Sequence, residues 1–462
     1  MMREGDRVSS GTAITRGIKR IIAYPLLRNN SFFFLSTVVV GLANYLLNTT
    51  ATRRFAPGNY SQFGVVLNLV VIFLPLSGAM ISAVMRRASY NRMSQGNDAT
   101  EAIQRTIVRY LTIFFAGLLT VTFIAHEPIG RFLRLTTVVP LYFVVVIVYW
   151  LFLQGLLQAI LQEEGKYGRI SAIFVGEGVF RATLGVTVIL AGLGINAALA
   201  VYMLSAILAT LFLPRPHAFW TGERAPHRAL FPIYRDIGPL LLSNIGFSFL
   251  TTLDVILCRR YLSPITADQY VAIAAMAKFF LSATGSVSTI AFAEIVKAAH
   301  HGESSARPLG FSLVLIGGLG VPFVAFCVLF GPFVMNLAFG SAFRASGDQL
   351  WITATSAFAV SLLGLETAYF NARHWLGYLP VFLLGSVVTI AALPLAHQSL
   401  GGYAGTYAIT TSVLALIFLI PVFLGLTGRL TLGTAQQVAP LTPVPLEPVV
   451  VTLDSADSSG IR

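Results

Sequence analysis

"ATRRFAPGNYSQFGVV" (Ala51–Val66) and "LCRRYLSPITADQYVAI" (Leu257–Ile273) are two versions of one pattern. Each reads Arg-Arg-aromatic, then a turn, then Gln-aromatic at the opening of an apolar run, with one extra residue in the second copy. Arg53 corresponds to Arg259 at an offset of 206, and Gln62 to Gln269 at 207. The register holds away from the turn. "FLPLSG" (Phe73–Gly78) corresponds to "FLSATG" (Phe280–Gly285) at 207, Gly168 and Gly176 to Gly377 and Gly385 at 209, and Pro214 to Pro421 at 207. A single match of this kind is chance, whereas an offset kept over a whole half marks a duplication.

The runs on either side of the two turns are long enough to cross a bilayer, which takes about 20 apolar residues. Such runs recur at 31–50, 61–84, 107–125, 138–160, 169–191, 195–213, 237–257, 268–291, 309–329, 349–370, 377–396 and 403–426. Only 11% of the 462 residues are charged, against roughly 25% in soluble domains, and the mean hydropathy is +0.77. Pro75, Pro239, Gly317 and Pro322 fall inside spans, where neighbouring helices satisfy the freed backbone groups. The expected fold is an all-α polytopic membrane protein with 12 transmembrane helices arranged as two six-helix bundles. An even number of spans per half gives both halves the same orientation, so the axis relating them runs along the membrane normal.

With twelve spans, both termini share one side, and the Lys and Arg distribution names it. Twenty-two of the 31 basic residues lie in the loops and tails of the terminus side and 7 on the other, so both termini are expected in the cytoplasm. The division that follows is a cytoplasmic tail over 1–30, a first bundle over 31–213, a cytoplasmic linker over 214–236, a second bundle over 237–426 and a tail over 427–462. That last tail is rich in Pro and small polar residues, a composition expected to be disordered. The first 30 residues lack the apolar core and cleavage site of a signal peptide, and "GIKRIIAYPLLR" (Gly17–Arg28) has the makings of a short surface helix or of a lead-in to the first span. The outward loops are short, the longest expected over Gly331–Asp348, which leaves no room for a catalytic domain outside the membrane.

Charges at membrane depth are costly and face a partner or a cavity. Five stand out: Glu177, Arg181, Asp254, Lys278 and Glu366. Glu177 and Arg181 are four apart on one helical face and can pair. They either neutralise each other between spans or leave Arg181 to face a central cavity with Glu177 orienting it. Lys278 stands where the first half has Val71, too deep to snorkel easily to the headgroups, and is expected to be a cavity cation. Asp254, the counterpart of Asn48, is expected to cap its helix or pair locally with Arg259 or Arg260, with a coupling-ion role as the alternative. Glu366 stays open between these uses. Asn44, Asn68, Gln154, Gln158 and Asn244 can hydrogen-bond across helices or line a hydrophilic path.

The basic segment Met85–Arg109 is expected to meet anionic lipid on the cytoplasmic side, where Arg86 and Arg87 are placed to receive an anionic headgroup. Arg53, Arg54, Arg259 and Arg260 end the first and seventh spans at the outer face. A cation at a helix C-terminus gains roughly 0.3–1 kcal/mol from the macrodipole, and outer-leaflet phosphates are within reach, so the four are expected to act as structural anchors more than as substrate ligands.

Other chemistry is not written in the chain. Cys258 and Cys327 lie in apolar runs, the seven histidines lack metal-ligand spacing, and no Gly-rich phosphate loop is present. No cofactor, metal or nucleic acid is expected, and transport would be passive or driven by an ion gradient.

"GLANYLLNTTATRRFAPGNYSQFGVVLNLVVIFLPLSG", its echo "TTLDVILCRRYLSPITADQYVA" and "YFNARHWLGY" (Tyr369–Tyr378) resemble the polysaccharide and lipid-linked oligosaccharide flippases, the Wzx-type branch of the MOP (MATE-like) exporter superfamily. The resemblance extends over most of 31–426 and rests on the order of loose motifs. It implies a V-shaped pair of bundles with a cationic central cavity in the cytoplasmic membrane. The function it implies is translocation of an undecaprenyl-pyrophosphate-linked glycan by alternating access, with membrane lipids and polysaccharide assembly proteins as partners. Arg181 and Lys278 would then bind pyrophosphate or acidic sugar, and Arg86 or Arg87 would assist capture. The lipid II flippase branch usually has fourteen spans, against twelve here. A MATE-like proton- or sodium-coupled antiporter of drugs or metabolites is the alternative within the fold, and a membrane glycan polymerase or ligase the alternative outside it.

Overall fold

The computed structural model describes residues 25–78, 97–163, 166–213, 231–300, 304–373 and 375–426, and among them there is no β-strand. Twelve helices carry the fold. In the first half they are α1 (Pro25–Arg54), α2 (Tyr60–Val71), α3 (Asn97–Phe132), α4 (Val139–Glu163), α5 (Tyr167–Leu190) and α6 (Gly194–Leu211). In the second they are α7 (Phe231–Tyr261), α8 (Pro264–His300), α9 (Ala306–Phe339), α10 (Leu350–Ala372), α11 (Leu379–Ala392) and α12 (Leu400–Leu426). Among the described residues eleven helical stretches are long and apolar enough to cross a membrane, and α1 covers the remaining expected span. The tails over 1–24 and 427–462, the segment 79–96 and the linker 214–230 lie outside the described residues.

Local chemistry explains the irregularities. Pro75 has no N–H for the Val71 carbonyl, and α2 is interrupted at Ile72–Phe73 before helix resumes to Gly78. The expected loop over Gly331–Asp348 is instead helical. Membrane helices absorb Pro322 and Pro332, so α9 runs on to Phe339, Gly340 turns the chain at φ +99°, and Ser341–Gln349 form a 3-10 coil. That coil folds back so closely that a Cβ on Gly331 would strike the Gly347 carbonyl. Two backbones touch there because neither residue has a side chain.

The two halves repeat the same packing. α1 lies along α5 as α7 lies along α11, and α2–α4, α3–α4, α4–α6 and α5–α6 recur as α8–α10, α9–α10, α10–α12 and α11–α12. Between the halves, α2 meets α7 and α8, and α1 meets α8 and α9. Equivalent residues meet there: Ser61 touches Asp268, and a Cβ on Gly64 would strike Val271. Both pairs are 207 apart, the repeat offset. Residues related by a twofold axis meet only near that axis, so it passes between α2 and α8.

The core shows how the halves are joined. One apolar cluster at the end carrying the α1–α2 and α7–α8 turns takes residues from both, among them Phe63, Ile147, Tyr270, Met335 and Tyr403. At the opposite end each half has a cluster of its own. Leu157, Leu161, Ile170 and Leu213 form one, and Phe370, Phe382 and Phe418 belong to the other. The bundles share a core at the turn end and part toward the far end.

Candidate functional site: a seam and the cleft below it

The seam at the turn end is polar and built on Asp268, near the start of α8. Its carboxylate accepts the backbone N–H groups of Gly58, just before α2, and of Ser61 at 2.5 and 2.6 Å, the latter one of the orphan donors at the opening of α2. Arg259 closes the same turn from α7. Its guanidinium donates to the Gly58 carbonyl, to Ser61 Oγ at 2.7 Å and to the Arg134 carbonyl at 3.2 Å. Arg134 in turn donates to the Leu262 carbonyl at 3.3 Å. Gln62 ties α2 to the α3–α4 turn by accepting from the N–H and hydroxyl of Thr136.

The paired arginines act symmetrically. Arg53 reaches into the other half and donates to the Leu337 carbonyl near the end of α9 at 2.7 Å. Arg259 reaches the chain just beyond the end of α3 in the first half. Each supplies a cation to carbonyls at a helix C-terminus, where the backbone leaves them without N–H partners. Arg259 is an anchor within the protein and not at the lipid face, being 6% exposed and spending its donors inside, while Arg53 joins the halves. Arg260 lies over the Phe132 ring at 5.7 Å, and Arg54 is exposed.

Beneath the seam, Lys278 of α8 donates to Asp254 of α7 at 3.0 Å and to Asn68 of α2 at 3.3 Å. Asp254 also accepts the Tyr270 hydroxyl at 3.0 Å, and Tyr403 donates to its backbone carbonyl at 2.7 Å. The expected local pairing of Asp254 with Arg259 or Arg260 is therefore replaced by a pair between helices. A helix that is extended past Asp254 carries those arginines up to the seam, while Lys278 arrives from α8 at the depth of the carboxylate. The aspartate side chain is 1% exposed and the lysine 24%. The lysine borders a small cleft with Thr251, Ser356 and Tyr407 among its lining.

The face of α8 that meets α2 carries Val271 and Lys278. Carried on at helical spacing, it presents Ser282, Gly285, Ser286 and Thr289. Ser282, Gly285 and Thr289 are exposed, and the three hydroxyls return their protons to carbonyls of their own helix. Among the described residues, contact with α2 gives way here to an exposed polar stripe. The reading of single residues missed it; the spacing in "KFFLSATGSVST" (Lys278–Thr289) is its signal.

Arg181 is elsewhere. It is 5% exposed inside the first half, with Glu177 at 3.3 Å and the Tyr202 ring 4.3 Å beneath its guanidinium. Gln154 donates to the second oxygen of Glu177 at 2.8 Å. This is the neutral pair between spans, set among α4, α5 and α6. Glu366 on α10 is 0% exposed, and among the described residues neither of its carboxyl oxygens has a hydrogen-bond partner. Arg86 and Arg87 lie outside the described residues.

No protein-family model matches the chain, and no curated protein matches it significantly. Solved structures do. The lipid II flippase MurJ in an inward closed conformation matches with a TM-score of 0.66 at 12% identity, covering 86% of this chain and 87% of its own. The inward-facing conformation of a multidrug resistance MATE family transporter of the MOP superfamily matches at 0.59 and 16% identity, covering 84% and 95%. A mutant of the Vibrio cholerae MATE transporter VcmN matches at 0.55 and 14% identity, covering 88% and 97%. The fold is that of the MATE/MOP-like transporters.

Proposed function

We propose that the chain is a MOP-type transporter that works by alternating access and carries a lipid-linked oligosaccharide or polysaccharide precursor of the undecaprenyl-pyrophosphate class. Its place is the cytoplasmic membrane, with the basic far end toward the cytoplasm and movement toward the outer leaflet. The observation that carries the reading is the single face of α8: sealed to α2 as far as Lys278 and, among the described residues, exposed and lined with hydroxyls beyond it. A polar stripe has no use against lipid tails, but it suits a sugar passing between the halves, with Lys278 as its cation. Fold likeness to a lipid flippase adds support.

The test is Lys278→Ala, followed by the amount of lipid-linked glycan left in the cytoplasmic leaflet. Accumulation is expected, with the protein still inserted; normal export would sink the reading. The MATE-like antiporter remains the second reading because Glu366 is a buried carboxyl without a hydrogen-bond partner among the described residues, a group an exported cation or proton could use. It predicts the reverse pattern, transport lost in Glu366→Gln and kept in Lys278→Ala.

A further inference from the structure

The geometry points to an ion-pair exchange at Asp254 and Lys278: an anion that enters the cleft takes Lys278 away from Asp254, and the released carboxylate binds one proton. The exchange rests on the reading of Lys278 as the anion ligand of the cleft. What it adds is a coupling of that ligand to proton uptake.

The asymmetry between the two partners is the ground for it. Lys278 is the accessible and mobile one, a long chain reaching into the cleft with Asn68 as a second acceptor from the other half. Asp254 is enclosed and fixed by Tyr270. An anionic group approaching from the open stripe therefore meets the ammonium first, and competes with the carboxylate for its donors. Once the lysine turns to the ligand, Asp254 keeps one phenolic donor and no cation within its cage. A buried carboxylate left without its partner is strongly disfavoured, and taking a proton removes the charge.

Among the described residues the surroundings supply no rival cation. From α8, Asp254 faces Tyr270 and Lys278, and from α12 it faces Tyr403, with Tyr407 capping the Leu250 carbonyl. Asn68 is the polar group of α2 at this depth, and Cys258 lies one turn along α7. Arg259 is further toward the seam, where its described hydrogen bonds go to Gly58, Ser61 and Arg134. The proton bookkeeping is simple: the carboxylate oxygen gains one proton from solvent, the lysine stays charged, and ligand departure reverses both.

Full-length protein in nanodiscs, with UDP-N-acetylglucosamine as the probe, tests the exchange. Its doubly esterified pyrophosphate does not titrate near neutrality, so any proton taken up belongs to the protein. Where one proton is bound per ligand, the apparent affinity falls about tenfold per pH unit as the pH rises. Asp254→Asn should remove that slope and bind the probe more tightly. Wild-type binding independent of pH overturns the exchange, and this measurement needs no variant to fold. If Lys278→Gln, folded by size-exclusion, binds the probe as well as the wild type, or the wild type does not bind it at millimolar concentration, the anion-site reading falls and the exchange with it. Flat pH dependence with binding lost in Lys278→Gln leaves the anion site standing and removes only the exchange.

Discussion

Ser61 donates its backbone N–H to the carboxylate of Asp268, the residue that holds its own place in the second copy of the repeat. The halves are thus fastened at their common axis by a carboxylate buried among backbone donors. Removing it leaves the Gly58 and Ser61 N–H groups and the Arg259 guanidinium in a closed interior. Asp268→Ala is expected to cost about 2–4 kcal/mol, from the loss of charge-assisted bonds to groups that stay buried. Because the loss falls on the seam, it should also open the turn end. Maleimide labelling of Cys258, which is fully buried, measured in a Cys327→Ala background, should rise; unchanged protection would show that the seam is held by apolar contacts alone.

Arg259 and Arg53 perform equivalent tasks in different surroundings. Arg259→Ala should destabilise the protein by about 2–4 kcal/mol because its acceptors are buried. Arg53→Ala, at an exposed site, should cost at most about 1 kcal/mol. Arg259→Lys should not restore stability, since a single ammonium cannot span three acceptors as a planar fork does. Thermal unfolding in detergent ranks the three.

Gly64 allows α2 and α8 to approach closely. Gly64→Leu should push the helices apart, at about 1–3 kcal/mol for overpacking, and Gly64→Leu combined with Val271→Gly should recover most of it. Recovery would confirm the contact at the axis; equal loss in the single and double variants would refute it.

The Glu177–Arg181 pair gives a test of the cavity assignment. Either Glu177→Gln or Arg181→Met alone should cost about 3–5 kcal/mol by leaving a buried partner unpaired, whereas the double change Glu177→Leu with Arg181→Met should be near neutral. Glycan export should survive in the double variant. A stable double variant that no longer exports would return Arg181 to the substrate path.

On the α8 stripe, Ser282→Leu with Thr289→Leu should leave folding unchanged, because both hydroxyls only return to their own helix. Transport should fall with the loss of polar surface. Full transport would mean the stripe is not on the path.

The order and place of the spans were legible in the sequence, since apolar length and the repeat both depend on local order, while helices such as α3 and α9 run well past the expected ends. The Arg53 and Arg259 turns were legible as landmarks. Their partners were not: Leu337 and Arg134 are brought to them by the packing of one half on the other, which no spacing records. Asp268 escaped notice for a similar reason. It reads as an ordinary acid opening a helix until the fold sets α2 against it. Lys278 was legible as an anomaly of the repeat, and Asp254 as a charge at depth, but their pairing required the rotation of α8 relative to α7. The segment Gly331–Asp348 misled because its glycines and proline signal a loop, while in the fold the glycines allow a helix and a coil to lie backbone to backbone.

The contact of Gly64 with Val271 bears on why two bundles share one chain. Two identical subunits would place the same residue on both sides of their axis. Two valines there would collide, and two glycines would leave a gap; two serines would forgo the carboxylate at the seam, and two aspartates would repel. Fusion after duplication frees each axial position to differ from its twin. A gene cut at the linker and rebuilt from either half alone should therefore give a poor dimer, since the complementarity is shared out between the copies.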